Sequence, residues 1–241
     1  MKKCSGSLAE VETFGLTDGP GIRTVFFLNG CGLRCKFCHN PEMQNPAPAN
    51  TEPEAIVKKA LRSKPYYDSS GGGVTFSGGE PLLQPFFLRE TCKLLKQHQI
   101  HIALDTAGIG LGGYDEILQY IDLVLLDIKH ITPDGYIDVT QRDRLNRFFE
   151  FADALNRSKK PVWIRQVVVP GIHDNEQYIR DLADFLHQHV KYVERVDFLP
   201  YHKLGSEKYQ KLGRKNPYEN KPAMDPDKCT KLYQEFLKFM V

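Results

Sequence analysis

The run LVLLDIK, Leu123–Lys129, decides the fold. Its apolar stretch is too short for an ordinary helix and lacks the strict alternation of a strand with one wet face. Such a run suits a strand buried on both faces, as in a parallel sheet covered by helices. Similar short runs lie on either side: Arg23–Leu28 (RTVFFL), Gly73–Phe76 (GVTF), His101–Asp105 (HIALD), Val162–Val169 (VWIRQVVV) and Val193–Leu199 (VERVDFL). Longer segments with helical spacing separate them, at Thr51–Ser63, Pro85–His98, Tyr114–Tyr120, Gln141–Arg157 and Asn175–His189. A last helix is expected over Pro226–Phe239. The first of these opens Thr-Glu-Pro-Glu, a cap followed by an early proline and acids suited to a first turn.

Six strands alternating with helices imply an α/β fold with a parallel sheet and right-handed crossovers. Six units are too few for a closed eightfold barrel. The expected architecture is therefore an open (β/α)6 partial TIM barrel, with a flat doubly wound sheet as the alternative. Residues 41–50 and 203–225, rich in Pro, Asn, Lys and Gly, are expected as long loops. No repeat or linker divides the 241 residues, so one domain over 1–241 is expected, with extensions at both ends of the partial barrel.

A formal net charge of +2 is too small to make nucleic acid or a membrane surface the main partner. The start, MKKCSGSLAEVE, has no apolar core of a signal peptide, and no stretch of about 18 apolar residues occurs. A soluble cytoplasmic protein is expected. Six cysteines are too few for a disulfide scaffold in a chain of this length, and three of them crowd into one loop. That pattern favours metal chemistry in a reducing compartment.

In parallel α/β architectures ligands gather where strands end and loops begin. The unusual residues lie there. GCGLRCKFCHNPE (Gly30–Glu42) follows the first strand, Ser77-Gly78-Gly79-Glu80-Pro81 the second and Asp105-Thr106-Ala107-Gly108 the third. The fourth ends in Asp127-Ile128-Lys129, the sixth in Leu199-Pro200-Tyr201-His202, and Arg165 lies within the fifth. Gly78 and Gly79 permit either a tight turn or a close backbone approach to a ligand. Asp105, Thr106 and Asp127 suit helix capping or a ligand site. Lys129 and Arg165, set in apolar strands, favour an inward role toward anionic or polar groups over surface charge. Asp18 suits the start of the Asp-Gly-Pro-Gly turn.

Cys31, Cys35 and Cys38 have C-x3-C-x2-C spacing. A closed zinc site wants four ligands, and the available fourth ligands are poorly marked. His39 directly follows Cys38, Cys92 falls in an expected helix, and Cys4 and Cys229 lie near the termini. Three thiolates instead suit a 4Fe–4S cluster with one open iron. An open position separates a reactive metal site from a structural one. No convincing Ser-His-Asp triad or paired general acid and base is found.

The spacing C-x3-C-x-aromatic-C, here Cys31, Cys35, Phe37 and Cys38, resembles the signature of the radical S-adenosylmethionine (SAM) superfamily, and Ser77–Glu80 (SGGE) resembles its second mark. TDGPGIR (Thr17–Arg23), CHNPE (Cys38–Glu42), SGGGVTFSGGEPLLQ (Ser70–Gln84), LDTAG, LVLLDIK, VWIRQVVVPG and LPYHKLG (Leu199–Gly205) extend the likeness to the glycyl-radical-enzyme activases of pyruvate formate-lyase. It runs from about Thr13 to Gly205. The resemblance implies a (β/α)6 partial barrel, in line with the strands counted above. It also implies that SAM chelates the open iron and is reductively cleaved to methionine and a 5′-deoxyadenosyl radical. That radical takes an α-hydrogen from a glycine on a loop of pyruvate formate-lyase.

The same resemblance implies the site residues. SAM is expected against Phe37, Cys38 and His39, the backbone of Gly78, Gly79 and Glu80, then Asp127, Ile128, Lys129, Arg165 and His202. A sodium or potassium ion is expected on Asp105, Thr106, Asp127 and the Leu125 carbonyl, hard oxygens that suit such an ion. Asp18 is expected at the glycine loop; apart from the resemblance, Lys203 and Lys208 in the loop after His202 suit either polar rim contacts or plain solvation. Reduced flavodoxin or ferredoxin is the expected electron donor, and a monomer the expected state. Two features depart from, or narrow, the pattern. The Pro170–Asn175 run lacks a glutamate found there in many members, so no ribose contact is assigned to it, and no cysteine-rich insertion lies between Glu42 and Ser70. An activase of another glycyl-radical enzyme and a zinc-bound, non-catalytic module are the competing readings.

Overall fold

The computed structural model describes residues 4–240, so the charged start at residues 1–3 and the last residue lie outside the described residues. Seven strands form one sheet: β1 (Leu8–Gly15), β2 (Arg23–Leu28), β3 (Gly73–Gly78), β4 (His101–Thr106), β5 (Leu123–Ile128), β6 (Val162–Val168) and β7 (Val193–Pro200). They lie side by side in chain order. β2 to β7 are all parallel, and each successive strand adds to the same side of the sheet. β1 is not joined to β7, so the partial barrel stays open, and the flat doubly wound alternative falls.

The six-strand expectation needs one correction, because β1 runs antiparallel to β2 as a seventh strand. LAEVETFG offers little apolar surface of its own, and most of its residues are exposed or half-buried. It is an edge strand held by its partner's backbone, with Glu10 and Glu12 on the wet side, a composition that also discourages further pairing.

The helices are α1 (Pro53–Arg62), α2 (Lys64–Ser70), α3 (Pro85–Gln97), α4 (Tyr114–Leu118), α5 (Pro133–Thr140), α6 (Leu145–Ser158), α7 (Glu176–His189), α8 (Ser206–Lys211) and α9 (Pro226–Phe239). The segment expected as one helix over Gln141–Arg157 starts late. Gln141 sits at φ 56°, the left-handed position that ends α5, and α6 begins only at Leu145. The loops expected at 41–50 and 203–225 contain a short 3-10 turn, Pro41–Met43, and α8.

The outer face of the sheet carries Val74, Phe76, Ile102, Leu104, Val124, Leu126 and Ile164, all fully buried against the helices. Each such side chain stabilises the fold by about 1.5–3 kcal/mol relative to exposure. The concave face differs. Ala103, Leu123 and Leu125, with Trp163 packed on them, form a separate apolar plug. Along β6 the helix-facing residues are buried while Trp163, Arg165 and Val167 are only half-buried. The strands are therefore not buried alike on both faces, and the concave side leaves room for a polar layer.

Candidate active site at the carboxyl ends of the strands

β2 and β3 end side by side, and glycine lets their continuations touch. The Gly79 amide donates to Leu28 O (2.8 Å) and the Glu80 amide to Gly30 O (2.8 Å). Gly78 has φ 116°, and a Cβ there would lie 2.4 Å from Leu28 N; one on Gly79 would lie 2.2 Å from Gly30 O. No side chain fits at either position.

The thiol loop beyond β2 is then laced in place by its own backbone. Gly30 N donates to Met43 O (2.8 Å) and Cys31 N to Gln44 O (3.0 Å). Arg34 N donates to Thr140 O and Lys36 N to Val139 O, both at 2.9 Å, so the last turn of α5 grips the loop on either side of Cys35. All three cysteines are free thiols. Burial pushes Cys31 up to about 11 and Cys35 up to about 12, and raises Cys38 as well.

The donor set fits an iron–sulfur cluster. Bare thiolates are disfavoured in this apolar setting, whereas iron compensates their charge. Among the described residues no three His, Cys, Asp or Glu side chains are grouped to hold one metal ion. A 4Fe–4S cluster spreads its thiolates over separate irons and needs no such point. The candidate fourth zinc ligands are placed elsewhere. Cys92 is fully buried in α3, Cys229 packs with Val168, Tyr201 and Tyr218, and Cys4 lies against the main core.

Above the apolar plug stands the polar layer, set by sheet register. Asp105 pairs with Leu125, and Asp127 with Arg165, across neighbouring strands. The Arg165 guanidinium bonds the Asp105 carboxylate through Nη2 and that of Asp127 through Nε at 3.2 Å, and lies 3.7 Å from Asp18. Ser77 Oγ donates to Asp105 at 2.6 Å, and Lys129 Nζ to Asp127 at 2.9 Å. Burial pushes Asp105 up, with Arg165 pulling it back. Asp127 is also buried, but Lys129 and Arg165 outweigh that and hold it below the usual carboxylate range. Burial works against the Lys129 and Arg165 cations, yet Asp127 and Asp105 keep both firmly charged. Lys129 Nζ also lies 5.6 Å from the Phe37 ring centre, which joins this layer to the thiol loop.

His202 reaches the same loop from the end of β7. Its ring meets that of His39 at 5.0 Å, edge to face, in a narrow cleft shared with Phe37, Cys38, Tyr201 and Gly205. Other expected residues sit differently. The Ile128 side chain is buried in the main core, so only its backbone borders the mouth. The Glu80 carboxylate is buried as a bracket, accepting from Thr106 Oγ1 (2.6 Å), Ala107 N (2.9 Å) and Leu82 N (3.1 Å). Burial nevertheless pushes it up to about 7. Thr106 thus faces Glu80. Lys203 Nζ donates to Glu219 O (3.0 Å), while Lys208 is held by Asn40 (2.7 Å) and Glu42 (2.6 Å).

Three contributors were not singled out above. Arg23, fully buried, donates through Nη1 to Pro20 O (3.0 Å) and through Nε to Thr75 Oγ1 (2.5 Å), and Thr75 Oγ1 donates to Asp18 O (2.7 Å). Together they pin the Asp18 turn from below. The one available signal is an arginine opening an apolar strand one residue after Gly-Pro-Gly. Arg214 donates to Gln44 Oε1 (2.8 Å) and Pro41 O (3.2 Å), strapping the segment after the thiol loop. Tyr136 on α5 lies fully buried among the same core residues as Cys35.

The profile of the radical SAM superfamily matches residues 25–186. The pyruvate formate-lyase-activating enzyme of Clostridium pasteurianum is 50% identical over 234 residues, covering 97% of each chain. That of Staphylococcus epidermidis is 40% identical over 239 residues, covering 95% of this chain and 94% of its own. A radical SAM methyltransferase from Sphaerobacter thermophilus shares the fold at TM-score 0.67 and 15% identity, over 98% of this chain and 76% of its own.

Proposed function

The chain belongs to the pyruvate formate-lyase-activating enzymes of the radical SAM superfamily, and on that premise we propose which of its residues carry out the reaction. It is an oxidoreductase that installs the glycyl radical on pyruvate formate-lyase, and the reading as a non-catalytic zinc module falls. When bound, a 4Fe–4S cluster and SAM supply one electron and the hydrogen-abstracting carbon radical.

Cys31, Cys35 and Cys38 hold the iron–sulfur cluster. The backbone of the Gly78–Glu80 turn faces the SAM amino group. Lys129 and Arg165 orient the polar groups of SAM beside Asp127, and Phe37, His39 and His202 line the cleft for its adenosine. Asp18 orients the glycine loop. The observation that carries this assignment is the Lys129–Phe37 contact, which brings the charged layer and the thiol loop to one mouth. A monovalent cation on Asp105, Thr106, Asp127 and the Leu125 carbonyl belongs to the same proposal. The strand register supports it, setting Asp105 beside Leu125. An ion there requires Arg165 to release a carboxylate. Reduced flavodoxin or ferredoxin is the proposed electron donor to a monomeric enzyme.

The test is anaerobic reconstitution with iron and sulfide analysis, followed by SAM and a glycine-loop peptide carrying deuterium on the glycine α-carbon. Four irons per chain, a glycyl radical by electron paramagnetic resonance and label in 5′-deoxyadenosine are expected. SAM cleavage without label transfer would give the hydrogen donor to another group.

A further inference from the structure

β1 ends in a fault that turns an aromatic ring outward. Its register with β2 slips between Thr13, opposite Thr24, and Gly15, opposite Arg23, so Phe14 is the extra residue of a β-bulge. Phe14 also sits at φ 65°, in the left-handed region that a bulky side chain rarely adopts. Such a conformation costs free energy and persists only where its surroundings impose it. Burial does not offset that cost, because Phe14 is 51% exposed. Its ring meets that of Tyr66 on α2 edge to face at 4.8 Å, and Tyr66 is itself 47% exposed. Leu16, two residues on, is 71% exposed. Two touching rings and a neighbouring leucine in water form the kind of patch that marks an interaction site, unlike single scattered apolar residues.

The place of the patch identifies its partner. Gly15, between Phe14 and Leu16, lies against the Asp18 carboxylate, and a Cβ built on it would be 3.7 Å from Oδ2. Phe14 is thus one Cα step, about 3.8 Å, from a residue that borders Asp18. β1 is also an edge strand beside the opening of the barrel. The reaction requires a glycine of another protein, pyruvate formate-lyase, to enter this site. A chain that presents its glycine at Asp18 advances about 3.3–3.6 Å per residue, so residues close to that glycine meet the patch. We propose that Phe14, Leu16 and Tyr66 seat an apolar side chain of pyruvate formate-lyase that lies within about four residues of its target glycine, and so fix the register of the glycine loop. The inference rests on the assignment of Asp18 to that loop. A ring pair offers a broad, rigid apolar surface, and the left-handed kink holds one ring in place before the partner arrives. Little ordering is then left to the encounter, which favours binding. The three residues set specificity and take no part in the chemistry.

The test uses the reconstituted enzyme with SAM and a glycine-loop peptide that extends about four residues to either side of the glycine. A companion set of peptides replaces each apolar residue by serine in turn. Binding is read by calorimetry and activation by the rate of glycyl-radical formation. Glycine suits the left-handed backbone, so Phe14→Gly removes the ring without straining the turn and should melt no lower than wild type. Phe14→Gly and Leu16→Ser should each raise the Kd of the parent peptide, and the KM of whole pyruvate formate-lyase, about tenfold with kcat kept, as for an anchor lost from an interface. One serine peptide should bind wild type about tenfold more weakly than the parent, yet bind Phe14→Gly no more weakly than the parent does, the signature of a direct contact. Phe86→Ser, at a similarly exposed ring on α3, should change nothing. SAM affinity and iron content should hold throughout. Unchanged peptide affinity in Phe14→Gly and Leu16→Ser would overturn the proposal, as would additive losses for every serine peptide. So would a wild-type dimer that Phe14→Gly converts to a monomer, because a second copy would then occupy the patch. Full activation of the peptide by Asp18→Ala would instead overturn the Asp18 assignment itself.

Discussion

The Asp18 carboxylate, in the turn between β1 and β2, stands 3.7 Å from the Arg165 guanidinium of β6. The same guanidinium bonds Asp105 and Asp127, so one cation ties the entry turn to the polar layer of the mouth. The Asp18 backbone is held separately, by Thr75 and through it Arg23. Its side chain can therefore be removed without releasing the turn.

Asp18→Ala should lower glycyl-radical formation on a glycine-loop peptide by on the order of tenfold, the loss of one charge-assisted hydrogen bond. SAM affinity and iron content should stay at the wild-type level. Equal losses of SAM binding and peptide activation would place Asp18 in general support of the mouth.

Cys31→Ala, Cys35→Ala and Cys38→Ala should each abolish the 4Fe–4S spectrum and SAM cleavage. Cys4→Ala, Cys92→Ala and Cys229→Ala should keep both. Cys92 is fully buried, so its truncation should cost about 1 kcal/mol in chemical denaturation through lost packing alone. Loss of the cluster in Cys92→Ala would end the three-ligand assignment.

Asp105→Ala and Asp127→Ala should weaken SAM binding more than they lower the melting temperature. Wild-type SAM affinity should rise with sodium or potassium, and either substitution should flatten that dependence. If affinity is the same in all three proteins across both salts, the carboxylates serve only to hold Arg165 and Lys129.

Glu80 gives a pH signature in stability. Burial lifts it from an ordinary 4.5 to about 7, so the folded state binds its proton more tightly than the unfolded chain. That contribution is complete below about 4.5 and lost as pH rises through about 7. Wild-type stability should fall across this window by up to about 1.4 kcal/mol per pH unit relative to Glu80→Gln. Parallel melting curves for the two proteins from pH 5 to 8 would contradict this.

The six parallel strands were legible because each is a short apolar run between turn residues, a property of consecutive positions. The ligand cysteines were legible for the same reason, since their spacing lies within one loop. β1 was not, because its stability comes from the β2 backbone and not from an apolar face of its own. Nor was α5, whose Pro-Asp-Gly opening reads as a turn until its last carbonyls find the amides of Arg34 and Lys36.

The charged layer divides the same way. That Asp105 and Asp127 sit near strand ends, and Arg165 within a strand, follows from the sequence alone. That one arginine serves both of those carboxylates and faces Asp18 as well is decided by sheet register and by the open curvature of the barrel. Sequence by itself determined the kinds of strand and the thiol spacing, because backbone propensity and ligand geometry act over a few neighbouring residues. Only the tertiary structure decided which buried charge meets which. Those distances depend on how far each successive strand turns relative to the last, and no local stretch of chain encodes that angle.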